Sequence, residues 1–67
     1  MAVASVSKIT AASPKSFEDA VREGVSRAGK TLRGITGVHV LDQKAHVHDG
    51  TITEFRVTVE VTFLLDR

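Results

Sequence analysis

Asp49-Gly50 separates two β-rich runs, residues 37–48 (GVHVLDQKAHVH) and 51–65 (TITEFRVTVEVTFLL), and no other feature constrains the fold so tightly. A two-residue type I′ hairpin needs φ > 0 at both central positions, and Asp-Gly adopts that conformation at low cost. The second run alternates strictly. Phe55, Val57, Val59, Val61, Phe63 and Leu65 fall on one face, with Glu54, Arg56, Thr58, Glu60 and Thr62 on the other. With Asp49 and Gly50 as the loop, the register sets Val38 opposite Val61, Val40 opposite Val59, Asp42 opposite Val57 and Gln43 opposite Arg56. The paired valines make an apolar face. Gly37, His39, Leu41 and Gln43 join Thr62, Glu60, Thr58 and Arg56 on a second face that is polar or small.

Upstream, residues 3–9 (VASVSKI) alternate loosely and predict a strand. Residues 10–16 (TAASPKS) read as a connection, with Ser16 as N-cap and Asp19 in the first helical turn. From Phe17 the apolar or small positions are Phe17, Ala20, Val21, Gly24, Val25, Ala28 and Leu32, spaced by three or four. That spacing predicts an amphipathic helix of about four to five turns ended by Gly34. Its basic residues Arg27, Lys30 and Arg33 gather toward the C-terminus, where the helix dipole favours them. The expected fold class is α+β: one domain over 1–67, in the order β-α-β-β, with the helix packed on an antiparallel sheet.

Such a chain is poorly equipped to stand alone. A domain of about this length buries only about 60% of the surface its unfolded chain exposes, and these 67 residues contain three Phe, no Trp, no Tyr and no Cys. Without Cys, neither disulfides nor thiolate zinc sites can brace it, which leaves oligomerisation as the expected support. One helix covers one side of a small sheet, so the second face and the sheet edges remain open, and open edges recruit further strands. The formal charge of +1 carries no electrostatic footprint for nucleic acid. The apolar runs are too short to span a bilayer, and residues 1–12 lack a signal-peptide pattern. A cytoplasmic protein is the expectation.

With that element order in place, the chain from about Ser5 to Asp66 resembles the dodecin family. The residues carrying the likeness are the passage from Thr10 through Ser13-Pro14 to Phe17-Glu18, then Arg27-Ala28 and Thr31-Leu32-Arg33, then Val40-Leu41-Asp42-Gln43. Asp49-Gly50 and the strand from Phe55 to Phe63 complete it. The resemblance implies a hollow homododecamer with sheets inward and helices outward. It also implies non-enzymatic binding and storage of a flavin (riboflavin, FMN or FAD) between symmetry-related subunits. In that family a Trp of the second strand stacks on the flavin and a Gln of the third strand hydrogen-bonds it. Here Gly37 and Arg56 occupy those positions, and Ala11 replaces a Gly of the first turn. Gly37, Asp42, Gln43 and Arg56 are the candidate ligand-binding residues. Loss of the stacking ring predicts weakened flavin binding, and Arg56 favours an anionic ligand by stacking or by meeting a phosphate.

The remaining clusters have plainer explanations beside functional ones. His46 and His48 share a strand face next to Asp49 and carry zinc- or nickel-ligating chemistry, but they also suit an exposed hairpin tip. His39 and Glu60 form either a pH-sensitive pair or an ordinary cross-strand charge pair. Carboxylates such as Asp42, repeated around a symmetry axis, suit Ca²⁺ or Mg²⁺. A dodecin-like shell that has lost flavin and acts as a cation-binding or structural assembly is therefore the alternative. No nucleophile with a base at a recognisable spacing and no phosphate loop is present, so no enzymatic activity is expected.

Overall fold

Asp49 and Gly50 adopt φ values of 51° and 75°, the left-handed pair that the hairpin requires, and the strands on either side are long. The computed structural model describes residues 3–65; the ends of the expected domain, including Asp66 where the resemblance stops, lie outside them. The order is β1 (Ala4–Ser13), α1 (Phe17–Ala28), β2 (Ile35–His48) and β3 (Thr51–Leu64). The strands form one antiparallel sheet in the order β1-β3-β2, an α+β arrangement with a single helix on the sheet.

β1 is longer than its alternation suggests. Thr10 to Ser13, read from sequence as a connection, pair with Thr58 to Phe55 of β3, because the long third strand still offers backbone partners there. Ser13 is buried at the end of this strand. Its Oγ donates to Asp19 Oδ2 at 2.6 Å and accepts from the Lys15 N–H, tying β1 to the start of α1. Ser16 caps the helix as expected, its Oγ accepting from the Asp19 N–H at 2.9 Å.

The helix is shorter than predicted. It ends at Ala28 and is capped by Gly29, and the following amides of Lys30 and Thr31 bond to carbonyls three residues back, which tightens the chain into a turn. Lys30 and Arg33 are therefore off the helix, and the expected basic cluster reduces to Arg27 in the last turn. Gly34, expected to stop the helix, instead adopts φ 73° where the chain enters β2.

The core lies between α1 and the β1–β3 half of the sheet. Ala20, Ala28, Val57, Val59 and Val61 are buried, and Ile9, Ala11, Phe17, Val21, Leu32 and Ile35 pack against them. Gly24 brings the helix close to β1: a Cβ there would sit 3.1 Å from that of Ala11. Phe17 and Phe55 meet edge to face, with centroids 5.1 Å apart.

Candidate functional site

The sheet face turned away from the helix takes its composition from three irregularities of register. From Val38 to Val40 the observed pairing follows the expected one, with Val38 opposite Val61, His39 opposite Glu60 and Val40 opposite Val59. The register then shifts between Val40 and Asp42, with Leu41 as the extra residue of a β-bulge. One added residue inverts every side chain beyond it. Asp42 thus faces Thr58 on the second face, where the unbulged register put it opposite Val57. Gln43 moves the other way, opposite Val57 on the helix side. Further shifts lie between Ile35 and Gly37 and between His46 and Val47.

Of the four candidate residues, Gly37, Asp42 and Arg56 share this second face, and Gln43 is removed from it. Lys44, which the sequence reading did not single out, takes its place opposite Arg56. The face runs as rows across the sheet. Lys8, Glu60 and His39 form one, Thr10, Thr58 and Asp42 the next, and Ala12, Arg56 and Lys44 the third. The two threonine hydroxyls are hydrogen-bonded at 3.3 Å. Arg56 donates to Glu54 at 2.7 Å, Lys44 lies 3.7 Å from Asp42, and His39 lies 3.8 Å from Glu60. The Arg56–Glu54 and Lys44–Asp42 pairs are solvent-exposed and weak, so Arg56 and Lys44 can be drawn to a ligand. Lys44, Ala45, His46 and Arg56 line a shallow depression of about 150 Å³.

Two properties bear on what this face can hold. Gly37 is open, since a Cβ built there meets nothing within 4 Å. No Phe, Tyr or Trp ring lies on the face among the described residues, because Phe55 and Phe63 pair into the helix side and Phe17 belongs to α1. The donors and acceptors of Asp42, Lys44, Arg56 and Thr58 suit the polar edge of a heteroaromatic ring or a phosphate. The planar groups the face offers for stacking include the Arg56 guanidinium and the imidazoles of His39 and His46. At the hairpin tip, His48 lies 3.4 Å from Asp49, but no group of three or more His, Asp or Glu able to hold a metal occurs among the described residues of one subunit.

Comparison with known proteins gives a consistent answer. A dodecin from Streptomyces davaonensis superposes with a TM-score of 0.93 at 32% identity, over 98% of this chain and 97% of that one. A Thermus thermophilus dodecin variant gives 0.94 at 25% identity over the whole of both chains. A calcium dodecin from Mycobacterium tuberculosis, described as calcium chelating with a novel calcium-binding site, gives 0.81 at 34% identity over 96% and 91%. A comparison with the sequences of curated proteins returns no match. The family model for dodecin matches residues 3–66, essentially the whole chain, and with the β-α-β-β architecture it establishes that this protein belongs to the dodecin family.

Proposed function

We propose that the chain is the subunit of a closed homododecamer that binds and sequesters a flavin without catalysing a reaction on it. Binding takes place on the second sheet face, with Arg56, Asp42 and Lys44 meeting the polar edge and any phosphate of the ligand and Gly37 lying beneath its ring. The observation that carries this reading is the convergence of Gly37, Asp42 and Arg56 on one open face once the Leu41 bulge is in place. Family membership supplies the ligand class. The balanced charge, +1 over the chain, favours a small-molecule partner over nucleic acid. No helix among the described residues is long and apolar enough to cross a membrane, in keeping with a cytoplasmic role.

Titration with riboflavin and with FMN, followed by flavin fluorescence, tests the reading. Quenching on binding is expected, stronger for FMN, whose phosphate gives Arg56 and Lys44 a partner. No quenching at tens of micromolar protein overturns it. Gly37→Trp is expected to tighten binding at least tenfold by restoring a stacking ring.

The lack of a Phe, Tyr or Trp ring on the second face favours one further reading. In it the shell has lost flavin and holds Ca²⁺ or Mg²⁺ through carboxylates gathered from several subunits, as the similarity to the calcium dodecin suggests. It predicts a melting temperature that rises with Ca²⁺, falls with chelator and ignores flavin.

A further inference from the structure

Flavin binding makes no use of the two histidines at the end of β2, and the hairpin brings them together. β2 runs without an extra residue from Ala45 to His48, because β3 absorbs the irregularity at this end. Thr53 is the additional residue there, between Glu54, paired with His46, and Ile52, paired with Val47. His46 and His48 therefore keep the strand's period of two and project from the same face, about 7 Å apart along the strand. Thr53 Oγ1 donates to the His46 carbonyl at 3.2 Å, tying the backbone of His46 to the bulge.

The turn supplies a third donor. His48 Nε2 lies 3.4 Å from Asp49 Oδ2. That is longer than an N–H···O hydrogen bond of about 2.7–3.2 Å, so neither atom is committed to the other. It equals the edge of a tetrahedron, about 3.4 Å, around an ion with the bonds of about 2.1 Å that Zn²⁺ makes to imidazole nitrogen and carboxylate oxygen. All three side chains are exposed, and a Cβ built on Gly50 meets nothing within 4 Å, which leaves room for an ion and its water. As they stand, the three donors do not surround one point; His46 completes the set by turning about its side-chain torsions, with no buried contact to break. Nearby charges are otherwise engaged. Glu54, opposite His46, is held by Arg56 at 2.7 Å, and the Lys44 ammonium lies 3.7 Å from Asp42, on the side away from the turn.

We infer that the hairpin tip is a zinc site in which His46, His48 and Asp49 hold Zn²⁺ and water takes the fourth position. Two imidazoles and one carboxylate with an open position suit zinc. They do not suit Ca²⁺ or Mg²⁺, which take six or more ligands, all of them oxygen. The site is complete within one copy and rests neither on assembly nor on flavin binding. Its donors lie within four consecutive residues, and the turn carrying them is formed without the ion, so zinc is taken up and released without refolding the subunit.

Zinc titration of the full chain in competition with a chromophoric zinc indicator, in a buffer that does not bind metals, tests the assignment. One Zn²⁺ per chain is expected. Removing an outer partner of a zinc ligand already costs about 10–100-fold in affinity, so His46→Ala and His48→Ala are each expected to weaken binding by at least about tenfold. Asp49→Asn keeps a residue that tolerates the left-handed turn and is expected to weaken binding less. His39→Ala, on the same sheet face but far from the tip, is expected to leave binding unchanged. All four positions are exposed, and far-UV circular dichroism verifies that each variant is folded. Failure of the chain to compete with the indicator would overturn the inference, as would binding that survives both histidine substitutions or is lost in His39→Ala. One Zn²⁺ per two or three chains would put the ion between copies, and displacement of zinc by excess Ca²⁺ would identify a hard-cation site; either result overturns it as well.

Discussion

β2 and β3 are both 14 residues long and both carry alternating valines, yet their fates in the subunit differ completely. Val59 and Val61 of β3 are fully buried, while their partners Val40 and Val38 keep about two-fifths of their surface in water. The cause is placement. β3 is the central strand and lies beneath the helix, whereas β2 is an edge strand that, among the described residues, brings only Ile35 against the core. A 12-residue helix is about 18 Å long and the subunit extends 52 Å, so it covers a part of the sheet only. Alternation marks a face that must be buried somewhere. It does not say whether the subunit or its neighbour buries it.

The largest expected effects separate the two strands directly. Val59→Asp places an unpaired carboxylate in the core and is expected to abolish cooperative unfolding at every protein concentration, as read by far-UV circular dichroism. Val40→Asp places the same charge on the exposed helix side of β2. It is expected to shift the oligomer to smaller species in size-exclusion chromatography and to make the melting temperature depend on protein concentration. Equal behaviour of the two variants would break the comparison.

Two smaller effects probe local devices on either side of the divide. Gly50→Ala meets no steric obstacle, but its φ of 75° asks an L-residue to adopt a left-handed conformation, at a cost of about 1–2 kcal/mol. Ser16→Ala removes the hydroxyl that caps α1, at about 1 kcal/mol. Each is expected to lower the melting temperature by several degrees. An unchanged value for Gly50→Ala would mean that the hairpin tip contributes nothing to the folded state. The smallest effect is at the outer surface of α1, where Arg22 donates to Glu18 at 2.6 Å. Arg22→Ala is expected to leave the melting temperature unchanged because both side chains are solvent-exposed.

Much of the site was legible in the chain, including one signal that the hairpin register overlooked. Apolar residues of β2 fall on even positions at Val38 and Val40 and on odd positions at Ala45 and Val47. Such a change of phase requires an extra residue, and Leu41 is that residue. Ile52 is likewise out of phase with Phe55, and the pairing shifts between His46 and Val47. Reading one continuous register across these breaks put Gln43 beside Arg56 and turned Asp42 toward the helix, the reverse of their positions in the structure. The helix ends earlier than its spacing suggests for a different reason. Leu32 keeps the helical spacing and packs against the core, but it does so from the turn after Gly29.

The sequence alone determined the hairpin turn, the helix start and the alternation of β3, because each depends on the conformational energy of a few adjacent residues: left-handed φ at Asp49 and Gly50, a hydroxyl at Ser16, a side-chain period of two. Tertiary structure decided where the bulges fall, where the helix stops and which strands it covers. Those outcomes depend on contacts between residues far apart in the chain, and the burial of Val59 with the exposure of Val40, directly opposite it, is their plainest result.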